Sequence, residues 1–150
     1  MPQSLSQILI HLIFSTKNRA PLLLKPVRPD LHKYMAGILD DWDSPAIIIG
    51  SVADHAHVLF RLSKNHALSK VVEHVKKGSS KWIKTQGTRY SNFQWQAGFG
   101  AFALSQSNVP RVKSYVANQE EHHRVRTFQD EFRAFLRRHQ VEFDERYLWD

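Results

Sequence analysis

Two apolar runs, at 45–52 and 55–62, are separated by only Ala53-Asp54 and lie between two amphipathic helical patterns. So short a connection can only join antiparallel neighbours, so the middle of the chain must be a β-hairpin. A further strand is expected over 5–16, where Ile8, Ile10, Leu12 and Phe14 alternate with Leu9, His11 and Ile13. Both of its faces are largely apolar, which suits a central strand covered on both sides. Leu31, Tyr34, Met35, Ile38, Leu39 and Trp42 recur at helical spacing, in a helix starting near 26–29, where proline fits a first turn.

A second helix is expected over 68–84. Leu68, Val71, Val72, Val75, Ser79, Trp82 and Ile83 share one side, and Lys70, Lys77, Lys81 and Lys84 the opposite one. The segment 98–106, with phenylalanines between small residues, reads as a fourth strand. Ser107 or Asn108 can cap a third helix with Pro110 in its first turn, carrying Tyr115 and Gln119 and ending near His123. Thr127 and Asp130 have capping-box spacing before a last helix with Phe128, Phe132, Phe135 and Leu136 on one stripe. The order β-α-β-β-α-β followed by two helices predicts an α+β, ferredoxin-like (split βαβ) antiparallel sheet. Helices would cover one face and leave the other for a site or for the added helices.

The length, 150 residues with 42% apolar content, fits a single domain spanning 1–150. The absence of cysteine excludes disulfides and thiolate zinc sites and is compatible with a reducing, cytoplasmic setting. No apolar run approaches a membrane span and no basic leader precedes one, so a soluble cytosolic protein is expected. Lys and Arg number 21 against 14 acidic residues, a net charge of +7. Such a balance favours a polyanionic partner, most often nucleic acid.

Three local patterns could carry chemistry. In Asp54-His55-Ala56-His57-Val58-Leu59-Phe60, the strand period turns His55 and His57 to one face and Ala56, Val58 and Phe60 to the other. Two imidazoles so placed can ligate one divalent metal, although a pair of half-exposed surface histidines would read the same. Tyr115 and Gln119, four apart, share a helix face. Gln119 offers a neutral oxygen as a third ligand, and the Tyr115 phenol can attack phosphorus; a lone tyrosine on a core edge is the plainer alternative. The lysine stripe of Lys70, Lys77, Lys81 and Lys84, with Lys76 and Arg89 nearby, has Glu73 as the only acid in 65–90, which resembles a phosphate-tracking surface as well as a solvated face. Trp82, Trp95 and Phe93 could stack bases, with Trp82 better placed for the core. His11 could support the histidine pair or simply be buried. His122 could assist proton transfer or, with His123, favour the helix end electrostatically.

Taken together these segments resemble the single-tyrosine HUH transposases of small insertion sequences that move as single-stranded DNA. The resemblance rests on His55-Ala56-His57 within 50–60, and on Tyr115 followed by Gln119 within 115–124. It rests also on the blocks Phe14-Ser15-Thr16-Lys17-Asn18-Arg19, Lys77-Gly78-Ser79-Ser80-Lys81-Trp82-Ile83 and Trp95-Gln96-Ala97-Gly98-Phe99-Gly100-Ala101-Phe102. Ala56 is small where a larger aliphatic residue is frequent in the family. The extension past the tyrosine helix, with Phe143, Tyr147, Leu148 and Trp149, resembles the branch that includes the repeat-associated tyrosine transposases.

The resemblance implies an endonuclease and strand transferase acting through a 5′-phosphotyrosine on Tyr115, with Mg²⁺ or Mn²⁺ held by His55, His57 and Gln119. It implies a single-stranded DNA partner, with a hairpin recognised near the element end and Lys70, Lys77, Lys81, Lys84 and Arg89 as weaker candidates for backbone contacts. It also implies a homodimer in which one protomer's tyrosine helix can complete its partner's site. The alternatives are a non-catalytic single-strand binding module on a ferredoxin-like sheet, and a metal hydrolase that uses activated water.

Overall fold

A computed structural model describes residues 2–123 and 126–150, with the side chains of His122 and His123 outside the described part. The four strands are β1 (Ile8–Ser15), β2 (Ala46–Ser51), β3 (His55–Leu62) and β4 (Gly100–Leu104). They form one antiparallel sheet in the order β2-β3-β1-β4, the ferredoxin-like arrangement the sequence predicts. Central β1 pairs with β3 so that Ile13 lies opposite His57 and Ser15 opposite His55.

Helices α1 (Arg28–Asp41) and α2 (Leu68–Ile83) cover one face. Leu31, Met35 and Leu39 of α1 and Val71, Val72 and Val75 of α2 pack there against Ile10, Leu12 and Phe14 of β1 and Ala56, Val58 and Phe60 of β3. The helical repeat of one layer thus meets the two-residue repeat of the other. Burying a side chain of the Val, Leu or Phe class contributes about 1.5–3 kcal/mol, so this layer is the main source of stability. Phe93 and Trp95 also lie in this core, with the Trp95 Nε1–H donating to Ser79 Oγ at 2.9 Å, so neither is available to stack on bases. Trp82 is partly buried and stacks on Tyr34.

The second face is covered too, by α3 (Val109–Ala117) and α5 (Phe128–Arg138), with the short α4 (Gln119–His123) between them. Phe128, Phe132 and Leu136 pack on Ile13 and Phe102 in a second, smaller cluster. Thr127 caps α5 as its spacing predicts, its side chain accepting from the Asp130 N–H at 3.2 Å. Asn108 precedes α3 without a side-chain cap bond.

The helix expected to run from about 109 to 123 is broken at Asn118. The Asn118 Nδ2–H donates to the Ser114 carbonyl at 2.9 Å, and its backbone leaves helical geometry (φ −105°, ψ 29°). Such competition from an Asn side chain is a common way to end a helix. Helix α3 lies close on β2: an added Cβ at Gly50 would stand 2.6 Å from the Val116 carbonyl oxygen. Among the described residues, no helix is long and apolar enough to cross a membrane.

Candidate active site

The alternation on β1 and β3 that fills the first core delivers His11, His55 and His57 to the opposite face, under α3 and α5. All three are buried, His55 and His57 completely. The break at Asn118 then places Gln119. At the end of α3 the Tyr115 carbonyl accepts from the Asn118 N–H at 3.3 Å and from the Gln119 Nε2–H at 3.1 Å. The second bond turns the amide oxygen inward, where Gln119 Oε1 stands 3.4 Å from His55 Nε2. On the other side of the same ring, His55 Nδ1 is 2.7 Å from Asp54 Oδ1. An imidazole donating to Asp54 from Nδ1 presents the Nε2 lone pair to the glutamine oxygen. Two electron-pair donors face each other across a gap suited to a cation.

The carboxylate in this cavity belongs to Glu131 of α5, fully buried. Its Oε1 lies 2.9 Å from His57 Nε2 and 3.8 Å from His55 Nε2. Ligand atoms of His55, His57 and Glu131 all fall within 4.8 Å of one another, close enough to share one ion. Two imidazoles and a carboxylate, with an amide oxygen beside them, form a mixed nitrogen and oxygen donor set appropriate to a divalent transition ion such as Mn²⁺. A buried carboxylate needs such partners, because desolvating a lone charge is prohibitive.

Sequence reading missed Glu131, though a signal was present. It lies three residues after Phe128 and four before Phe135, on the apolar stripe of α5, where an acid is out of place without a partner.

The second Glu131 oxygen accepts a hydrogen bond from the Tyr115 phenol at 2.5 Å. Burial raises the Tyr115 pKa well above the usual tyrosine value, and the Glu131 charge and hydrogen bond raise it further. The phenol is therefore protonated at rest, beside a proton acceptor. His11 Nε2 stands 2.8 Å from His57 Nδ1. Burial, followed by the nearby His57, lowers the His11 pKa to about 3, so it is neutral at ordinary pH and can donate to or accept from its neighbour as the tautomer requires. His11 is thus both buried and bonded to His57.

The structure thus gathers His55, His57, Gln119 and Tyr115 at one place within a single chain. The lysine stripe is elsewhere, across the sheet on α2. Lys77, Lys81 and Lys84 line an open cleft of about 810 Å³, together with Lys17 and Phe99. Lys70 and Arg89 are not among its lining residues. Lys70 and Lys77 pair with Glu73 at 3.4 and 2.9 Å, which leaves part of the stripe internally compensated. Lys76 is committed to structure: its ammonium donates to the carbonyls of Gln96, Ala97 and Gly98, and burial lowers its pKa to about 8. The side chain of His122, a candidate for proton transfer, lies outside the described residues.

The ferredoxin-like sheet, with a histidine pair on one strand and a tyrosine helix over it, is the arrangement the sequence resemblance implies. Residues 4–119 match the family model described as "Transposase IS200 like", and the chain belongs to that family. It is therefore, by class, a DNA-processing enzyme. Two solved structures are similar in fold. One, a candidate transposase from Deinococcus radiodurans R1, has a TM-score of 0.62 at 18% identity, over 79% of this chain and 98% of that one. The other, a REP-associated tyrosine transposase bound to a REP hairpin, has a TM-score of 0.61 at 15% identity, over 82% of this chain and 72% of that one. No curated protein sequence matches the chain.

Proposed function

We propose that this transposase cleaves and rejoins single-stranded DNA through a covalent 5′-phosphotyrosine at Tyr115, beside a divalent ion held by His55, His57, Gln119 and Glu131. The observation that carries the reading is the meeting of the phenol, both imidazoles and the glutamine oxygen around one buried carboxylate. The ion, when bound, would act as a Lewis acid on a scissile phosphate oxygen. Glu131 and the two histidines hold its place, and Asp54 and His11 fix the ring orientations.

The chemistry of the chain's own groups follows from their positions. The Tyr115 oxygen bonds to phosphorus as its proton passes to Glu131 Oε2. The bond from phosphorus to the 3′-oxygen breaks, and the departing oxygen keeps the electron pair and takes up a proton. A 3′-hydroxyl then attacks the phosphotyrosine, releasing the phenol and restoring a diester. Because the linkage stays covalent throughout, no nucleotide cofactor is required for joining.

The similarity to a hairpin-bound transposase supports a DNA hairpin as partner, with its backbone following the lysine cleft. Burial of the second sheet face beneath α3 and α5 disfavours the alternative of an open-sheet single-strand binding module, since Phe102 is covered there. The residues assigned to this site all lie near one another within a single chain, which supports a site that does not borrow a partner's tyrosine helix.

The test is an incubation with single-stranded DNA from the gene's own flanks and Mn²⁺, followed by a denaturing gel. The wild-type chain should shift as a covalent adduct, and Tyr115→Phe should bind the DNA yet give none. An adduct on Tyr115→Phe would transfer the nucleophile to another residue. Cleavage without any adduct would favour activated water.

A further inference from the structure

Beside Tyr115 lies a hollow of about 370 Å³, which His11 and Glu131 also line and into which neither His55 nor His57 opens. At about 30 Å³ per water, it has room for a group the size of a nucleotide's phosphate and part of its sugar. Tyr115 and Glu131 line its floor, and Phe135 forms a wall. Its other charged lining residues are three arginines from three places in the chain: Arg111 in the first turn of α3, Arg126 just before α5, and Arg138 at the end of α5. Among the described residues, Glu131 is the only acid lining it, and that carboxylate is already engaged by His57 and Tyr115. Arg138 lies over the Phe135 ring at 5.5 Å from its centroid, while Phe135 meets Tyr115 edge-on. The aromatic wall therefore links a guanidinium to the nucleophile.

Three planar cations around an uncommitted hollow are an anion site. Guanidinium is the side chain best suited to a phosphodiester, because its donors form a fixed fork. We infer that Arg111, Arg126 and Arg138 seat a phosphodiester of the single-stranded substrate adjacent to the one being cut, and so set the path of the strand across Tyr115. The inference rests on the proposed cleavage of DNA at Tyr115. It adds a phosphate site separate from the lysine cleft, which lies on the opposite side of the sheet.

Binding tests it apart from catalysis. In the Tyr115→Phe background, affinity for a single-stranded oligothymidylate is measured over a range of salt concentrations, with and without Arg111→Ala and Arg138→Ala together. The double substitution should weaken binding about ten-fold near 0.1 M salt. It should also flatten the plot of log affinity against log salt by about 0.7 for each phosphate that is no longer neutralised. Both side chains are exposed, so the fold should persist. If the melting temperature falls, the charge-conserving pair Arg111→Lys and Arg138→Lys decides, and it should restore the slope. A strand held only in the lysine cleft would leave affinity and slope unchanged and overturn the inference. Adduct formation, read separately with Tyr115 present, judges the catalytic reading. Adducts without an arginine effect reject this site alone, and an arginine effect without adducts rejects the chemistry alone.

Discussion

The two faces of the sheet are made from the same strands yet serve opposite ends. Toward α1 and α2, β1 and β3 present Ile10, Leu12, Phe14, Ala56, Val58 and Phe60, all buried and all apolar. Toward α3 and α5 they present His11, His55 and His57, equally buried and joined to Glu131 and Gln119. The first face gains from burial at little polar cost. The second desolvates its imidazoles and carboxylate and offsets that loss through mutual hydrogen bonds and the smaller apolar cluster of Ile13, Phe102, Phe128, Phe132 and Leu136 beside them. An apolar core and a buried polar cluster are thus separated by a single residue step along each strand.

The largest expected effect sharpens that separation. On the proposed mechanism, Glu131→Gln should reduce adduct formation at least about 100-fold, because it removes the carboxylate assigned to the ion and to the phenol's proton, with little change in melting temperature. Phe60→Ala, on the opposite face, should cost about 3–5 kcal/mol in denaturant unfolding. If the two substitutions cost similar stability, the division between the faces is not real.

A smaller effect probes the polar face from its edge. Asp54→Asn keeps the side chain's size but weakens its hold on His55 Nδ1, and should lower metal affinity about 10–100-fold. Titration calorimetry with Mn²⁺ measures this, and unchanged affinity would show that His55 orients itself.

The smallest effect concerns a histidine outside the site. His32 Nε2 bonds to Ser51 Oγ at 2.7 Å, and burial, followed by the charge of Arg28, lowers its pKa to about 4. Its folded pKa lies below the unfolded value of about 6.5, so the unfolded chain binds the proton more readily. The neutral side chain's contribution is therefore complete above about pH 6.5 and is lost as pH falls toward 4. His32→Asn should flatten the decline in melting temperature across that window. A decline of equal steepness in the variant would assign it to other groups.

Much of this division was legible in the sequence because strand alternation is strict. Once 55–62 is a strand, His55 and His57 cannot share a face with Val58 and Phe60. The hairpin, the ferredoxin-like order and the cap at Thr127 followed from equally local rules. The break at Asn118 was not legible, since an Asn can also sit within a helix and only its bond to Ser114 decides. Glu131 was hidden among the phenylalanines of α5, because its partners lie 74 and 16 residues away along the chain. The lysines show the opposite limit: a one-signed stripe is easily read, but its internal pairing with Glu73 and the commitment of Lys76 to three carbonyls depend on rotamers and loops.

Gly50 gives the arrangement a mechanical limit. With a Cβ there only 2.6 Å from the Val116 carbonyl oxygen, even a methyl would act as a shim under the tyrosine-bearing helix. Its thickness would shift the Tyr115 phenol relative to Glu131 and the histidines without touching any of them. A glycine with no side chain at all is in that sense the stop that sets how deep the helix seats.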